Sequence, residues 1–397
     1  MHEERWLLPS GIEEILPPQA QAMEGLRRDL LDLYRTWGYE LVVPPLIDYL
    51  ESLLTGTGHD LDLETFKLTD QESGRLLGVR ADMTPQVARI DAHHLRRDVP
   101  TRLCYLGTVL HTRSDGFAGT RSPLQIGAEI YGHAGPESDV EILRLLAETL
   151  RVGRITDAYL DLGHVGIFRG LARQAGLDRQ QEMSLFEVLQ RKAVSEIEEL
   201  VARYAVAGAA ARMLTALAEL NGDDALSRAE SALAEADRSV REALSYLRRV
   251  AEELEGWLPD VPVHFDLAEL RGYHYKTGVV FAAFVPGWGQ EIARGGRYDD
   301  IGSVFGRARP AVGFSSDLKG LLRLGTALDA RTGDVAGVWA PWSADPALQA
   351  EISRLRAAGR RVVQELPGRN DHARALGCTD MLSREGARWV LVPAPDD

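Results

Sequence analysis

Cysteine is nearly absent from this chain: two residues, Cys104 and Cys378, among 397. They stand far apart and outside any metal-ligand spacing, so neither a disulfide framework nor a zinc site is expected. Both read as small buried hydrophobes. The sequence also lacks any apolar run of about 18 residues, the length a membrane-spanning helix needs. Its opening, MHEERWLLPSG, has no basic stretch leading into an apolar one. No secretory signal is read there, and a cytoplasmic location is expected. Positive charge is in deficit as well, with 45 Lys and Arg against 59 Asp and Glu and a formal net charge of −14. So acidic a chain is poorly suited to wrapping nucleic acid.

What remains is the balance of a soluble globular protein, 45% hydrophobic and 26% charged, long enough for two or three domains with at least one large core. Near the start, Leu26, Leu30, Leu33 and Trp37 recur at helical spacing. Gly38 ends that helix, and ELVV begins a strand that Pro44 and Pro45 close. TFKLTD and RLLGVR flank QESG as a hairpin. Thr84-Pro85 reads as N-cap and first residue of a helix over TPQVARIDAHHL. TRLCYLGTVLHTR and SPLQIGAEIYG are extended and separated by the loop SDGFAGTR. SDVEILRLLAETLRVG is helical, and ITDAYLDLGH is a strand. Helices mixed with hairpin-connected strands predict an α+β domain on an antiparallel sheet.

From about residue 170 to 257 the texture is helical throughout, with Asn221-Gly222-Asp223 as an internal turn. Strand texture returns in VPVHFDLAEL, TGVVFAAFVP and QEIARGGRYDD. The expected organisation is a core over 1–169 and 258–330, a helical insertion over 170–257, and a small α/β unit over 331–397. That last unit reads as β-α-β-α-β: GVWAP, a helix over ALQAEISRLRAAG, RRVVQEL, a short helix in DHARALG, and ARWVLVPA after a helical SREG lead-in.

The order of these pieces resembles a class II aminoacyl-tRNA synthetase catalytic domain of the histidyl branch, over roughly residues 1–325. WGYELVVPPL is similar to the first class II motif, which implies a dimer interface. RLCYLGTVLHTRSDGFAGTRSPLQIGAEIYG resembles the second motif and RPAVGFSSDLKGLL the third. GVRADMTPQVAR and LRGYHYKTGVVF resemble the histidyl-type elements.

The departures from that pattern decide the functional expectation. Activating an amino acid requires cations on the ATP phosphates. The second motif's Phe-Arg-x-Glu reads here Leu110, His111, Thr112, Arg113, so a histidine stands where the phosphate arginine belongs. The third motif's Gly-Leu-Glu-Arg reads Asp317, Leu318, Lys319, Gly320. Each lost phosphate donor typically costs about 10²–10³-fold in rate. Gly295, Gly296, Gly302 and Gly306 are accordingly expected to serve tight turns beside the sheet, not a phosphate cradle.

The amino-acid half of the site is kept. Asp82, Thr84, Gln125, Glu129, Arg271 and Tyr275 fall where the resemblance places its histidine-pocket groups, although Lys276 replaces a family tyrosine. Taken singly, Asp82 and Glu129 could be ordinary polar residues at a sheet edge, and Arg271 half of a structural ion pair. His59, His93 and His94 read as non-catalytic. The tail resembles the front half of an anticodon-binding domain without its closing elements.

This combination is similar to the regulatory subunits of ATP phosphoribosyltransferase. It implies a synthetase-like subunit without catalysis, cofactor, metal or tRNA. The implied partner is a short-form catalytic subunit at the first step of histidine biosynthesis, and the implied ligand is histidine as feedback signal. The alternatives are an aberrant histidyl-tRNA synthetase using Arg113 and Lys319 as substitutes, or a free-standing histidine sensor.

Overall fold

A computed structural model of the chain describes residues 6–55, 59–114, 119–270, 272–273, 275–325, 337–368 and 373–395. The chain divides into two compact units, Met1–Ala327 and Leu328–Asp397. No helix among the described residues is long and apolar enough to cross a membrane.

The first unit holds strands Glu40–Leu41 (β1), Ile47–Tyr49 (β2), Phe66–Thr69 (β3), Leu76–Val79 (β4), Thr101–Thr108 (β5) and Leu124–Tyr131 (β6). Tyr159–His164 (β7), Asn221–Gly222 (β8), Val263–Asp266 (β9), Val279–Phe284 (β10), Ala293–Arg297 (β11) and Ala311–Asp317 (β12) follow. β2, β4 and β3 form a small antiparallel sheet whose hairpin turns at QESG, as the turn chemistry predicts. The other nine strands form one sheet in the order β1-β5-β6-β12-β11-β10-β7-β9-β8. Its pairings are antiparallel except β1 with β5 and β7 with β9.

Two helices cover the central strands. In Gln19–Thr36 the buried stripe is Ala22, Leu26, Leu30 and Tyr34, whereas Leu33 and Trp37 of the predicted face are only half-buried. Helix Pro136–Val152 buries ten residues, and its Asp139 is fully enclosed. Arg297 of β11 donates to both Asp139 oxygens at 3.3 and 2.8 Å, and Tyr246 donates to the second at 2.5 Å. A buried carboxylate needs such partners, because its desolvation is otherwise prohibitive. Tyr246 lies on Arg238–Trp257, the longest helix of the 170–257 stretch, which buries Val240, Ala243, Leu247, Val250 and Leu254 at helical spacing.

Several local expectations fail for physical reasons. Asn221–Gly222 is more than a turn: it pairs with Asp266 and Phe265 as the sheet's last strand. Thr84 does not cap its helix; its hydroxyl turns into the site, and Asp82 Oδ1 accepts from the Thr84 amide instead, at 2.9 Å. Gly295 and Gly296 lie inside β11, not in a turn. A Cβ on Gly295 would sit 2.3 Å from the Phe281 ring, so the sheet demands its absence. Gly302 and Gly306 do flank a short 3₁₀ turn, with Gly306 at φ +89°.

In the second unit Gly337–Ala340 (β13), Val362–Gln364 (β14), Cys378–Glu385 (β15) and Arg388–Pro393 (β16) form a sheet in the order β14-β13-β15-β16. Helix Pro346–Ala357 packs Leu348, Ile352 and Leu355 against it, with Asp345 accepting from the Ala347 amide at 2.9 Å. The SREG segment is the end of β15 and its turn, not a helical lead-in, and Gly386 supplies the φ of +63° that the turn needs. Of the short helix expected in DHARALG, residues 371–372 lie outside the described residues and 373–377 form turns. Both cysteines are buried and free.

Candidate functional site

A cavity of about 600 Å³ opens in the first unit, walled by Asp82, Gln125, His111, Tyr275, Lys276 and Arg294 among others. Its polar heart is built on β6, where Gln125 and Glu129 share one face by the two-residue period of a strand. Gln125 donates through Nε2 to Asp82 Oδ1 at 2.8 Å and accepts through Oε1 from the Met83 amide at 2.9 Å. Asp82 and Gln125 are thereby held in one orientation before any ligand arrives. Thr84 Oγ1 lies 3.2 Å from Tyr105 Oη and 3.4 Å from Glu129 Oε1.

Glu129 is 1% exposed and adjoins the cavity wall through Thr84. Tyr105 donates to its Oε1 at 2.9 Å, and Tyr298 donates to its Oε2. Burial pushes its carboxyl well above the usual carboxylate range, against the pull of the Tyr105 and Thr84 hydroxyls and of the Lys276 ammonium. Room for this cluster comes from two glycines directly paired with its bulky members: Gly127 opposite Tyr105, and Gly313 opposite Glu129. A Cβ on Gly313 would lie 1.4 Å from Glu129 Oε2, and one on Gly127 would lie 2.4 Å from Tyr105 Oη.

Of the predicted pocket residues, Asp82, Thr84, Gln125 and Glu129 are thus brought into one hydrogen-bonded group. Tyr275 lines the same cavity with about a third of its surface (37%) exposed. Removal from water, with the Asp82 carboxylate next in weight, pushes its phenol up to about 12. Arg271 lies outside the described residues. Sequence reasoning missed Tyr105 and Tyr298. The one available signal was a glycine set against each large group across the sheet, and that is visible only once strand register is known.

The other half of the cavity offers little to a phosphate. His111 is 7% exposed and its Nε2 lies 2.9 Å from the Ala81 carbonyl, which only accepts, so Nε2 is the donor. Its Nδ1 is buried without a partner among the described residues. Lys319 is engaged by Glu13 and by the Ser122 hydroxyl, each at 3.3 Å. Gly320 is open ground: a Cβ there would meet nothing closer than 3.9 Å. Arg113 is exposed, and Arg294 at the cavity wall stands 3.5 Å from Glu291. Among the described residues no group of three or more His, Cys, Asp or Glu is arranged to hold a metal ion.

Comparison with known proteins decides the family. Residues 11–321 match the histidyl-tRNA synthetase family, and residues 335–392 match the ATP phosphoribosyltransferase subunit HisZ C-terminal domain. The ATP phosphoribosyltransferase regulatory subunit of Alkalilimnicola ehrlichii is 59% identical over 393 residues, 98% of each chain. That of Thioalkalivibrio sulfidiphilus is 60% identical over 390 residues, again 98% of each. The chain belongs to the ATP phosphoribosyltransferase regulatory subunit family.

Solved structures agree on the architecture of this regulatory subunit. A Bacillus halodurans protein described as an ATP phosphoribosyltransferase regulatory subunit/histidyl-tRNA synthetase superposes with a TM-score of 0.83 at 26% identity, covering 95% of this chain and 97% of that one. Histidyl-tRNA synthetase from Nostoc superposes with a TM-score of 0.76 at 19% identity, over 95% of this chain and 91% of that one, a likeness of fold. The class II synthetase-like fold read from the motifs is therefore the fold of this regulatory subunit.

Proposed function

We propose that the chain binds histidine in this cavity and, as partner of a short-form ATP phosphoribosyltransferase catalytic subunit, makes that enzyme's activity respond to histidine. One observation carries the reading: Asp82 and Gln125 are pre-assembled, while the two positions that would carry phosphate arginines hold a histidine and a glycine. Asp82 and Gln125 are fixed where an ammonium could meet an acceptor. At the positions that would clamp phosphates stand a histidine tied to a backbone carbonyl, a glycine, and a lysine already engaged by Glu13. A site so divided holds an amino acid without activating it.

In this reading the 170–257 helices are an insertion within a core of 1–169 and 258–330. Residues 331–397 are a shortened relative of an anticodon-binding domain that takes no tRNA. Two copies pair through the first motif, where Leu41, Val43, Leu46 and Ile47 are exposed beside the edge strand β1. Histidine acts allosterically if it binds one assembly state better than another, with a typical coupling of about 1–3 kcal/mol.

The test is histidine-dependent ATP–pyrophosphate exchange alongside reconstitution with a short-form transferase. No exchange together with altered transferase activity supports the proposal. Turnover in the exchange assay would return the chain to the synthetases, with Arg113 and Lys319 as the substitute cations. Histidine binding without any effect on the transferase would mark a free-standing sensor.

A further inference from the structure

The role just proposed assigns nothing to the 170–257 helices, yet one of them walls the cavity. Helix Arg179–Gln190 starts at a capping box: Asp178 accepts from the Gln181 amide at 2.9 Å, and the Gln181 side chain accepts from the Asp178 amide at 3.0 Å. Leu185, Val188 and Leu189 anchor the helix in the core. Glu182, Phe186 and Gln190 recur every four residues and so share another face. Phe186 and Gln190 of that face line the cavity.

Tyr273 is where this face meets the rest of the site. It lines the cavity at 4% exposed, on the turn that also brings Tyr275 and Lys276 to the wall. The Lys276 amide closes that turn on the Gly272 carbonyl at 2.8 Å, with Gly272 at φ +72°. Arg169 donates to the carbonyls of Tyr273 and Lys276 at 2.9 and 3.2 Å. The Tyr273 ring stacks on Phe186, centroids 5.1 Å apart and planes 28° from parallel, and its hydroxyl donates to Glu182. Stacking tolerates sliding of one ring over the other, whereas a hydrogen bond to a carboxylate is directional and among the stronger kinds. The carboxylate of Glu182 therefore fixes where Tyr273 sits on the helix.

We propose that Glu182 is a positioning residue for this cavity: by holding Tyr273 it clamps the turn bearing Tyr275 and Lys276 to helix Arg179–Gln190, and so ties that helix to occupancy of the site. The inference rests on the histidine reading above and names the element that responds to the ligand. A ligand ordered between the turn and Phe186 favours the clamped arrangement over an unclamped one. By linkage, the clamp favours the ligand by the same factor. The 170–257 helices thereby become the part of the chain that changes when the cavity fills.

Amide hydrogen exchange on the purified full chain, with and without saturating histidine, reads this link. Histidine is expected to slow exchange within helix Arg179–Gln190 by about fivefold or more. Glu182→Leu and Tyr273→Phe are expected to lose that protection and to bind histidine about 5–10-fold more weakly by calorimetry. Glu182→Gln, which keeps an acceptor oxygen for the phenol, is expected to restore both. A helix that merely stabilised the fold would exchange alike with and without the ligand. Bound histidine that leaves the helix exchanging at its unliganded rate in the natural chain overturns the proposal, even if no variant folds. Protection and affinity that survive in Glu182→Leu also overturn it. If calorimetry shows no histidine binding to the natural chain, the histidine reading itself fails and this inference goes with it.

Discussion

Asp82 accepts two hydrogen bonds on a single oxygen, from the Thr84 amide and the Gln125 carboxamide, and its second oxygen has no partner among the described residues. That second oxygen is the natural acceptor for a ligand ammonium. Asp82→Asn removes a charge-assisted bond of about 1.5–3 kcal/mol, so histidine affinity measured by calorimetry is expected to fall roughly 10–100-fold. Unchanged affinity would take Asp82 out of the site.

Glu129 makes a separate residue-level prediction through pH. Its folded carboxyl titrates well above the ordinary glutamate value of about 4.3, so the fold binds this proton more tightly than the unfolded chain does. The favourable contribution is full below that value and is lost as pH rises through the folded pKa. In urea unfolding, the natural chain should therefore lose stability relative to Glu129→Gln as pH rises upward from about 5. A constant difference across that range would mean that Glu129 stays ionised in the fold. The residue types at this site were legible in the sequence, but the hydroxyls of Tyr105 and Tyr298 were not. They reach Glu129 from other strands, and local pattern carries no information on that distance.

At the scale of elements, two glycines of adjacent strand and helix make opposite predictions. Gly313 in β12 leaves the space that Glu129 fills, so Gly313→Ala forces the Glu129 cluster apart and is expected to cost about 1–3 kcal/mol. Gly320 sits inside the helix Leu318–Leu324 with open space around it. Gly320→Ala is expected to gain about 0.5–1 kcal/mol, as a glycine in a helix interior wastes backbone entropy. Thermal or urea melts of both variants check the pair; destabilisation at 320 would reveal a hidden constraint there.

Elements with strong local chemistry were readable in advance. The QESG hairpin has turn residues between alternating strands, and the Arg238–Trp257 helix has an unbroken apolar stripe. β15 was not, because CTDMLSRE alternates weakly and its last residues, Ser-Arg-Glu, favour a helix in isolation. Pairing with β13 and β16 overrides that preference. β11 misled for a related reason: two consecutive glycines signal a turn, yet here they let the Phe281 ring and Lys276 pass close to the sheet.

On the scale of the whole molecule, the order of class II motifs made the first unit's architecture readable, since all nine strands of its large sheet serve one cavity-bearing framework. The departures from the synthetase pattern at positions 111 and 320 were readable too, although the engagement of Lys319 by Glu13 required the fold. Val43 is 78% exposed beside an edge strand paired only with β5. If copies meet there, Val43→Glu is expected to shift light scattering from dimer to monomer while circular dichroism stays unchanged. A persistent dimer would place the self-association elsewhere.

The central claim is that histidine in this cavity governs a partner transferase. Its most direct test is the rate of phosphoribosyl-ATP formation by the reconstituted complex as histidine is titrated, with the natural chain and with Asp82→Asn. The account predicts inhibition by histidine whose midpoint moves to roughly 10–100-fold higher concentration in the variant. An unmoved midpoint would contradict it, because the histidine that controls the enzyme would then be bound somewhere else.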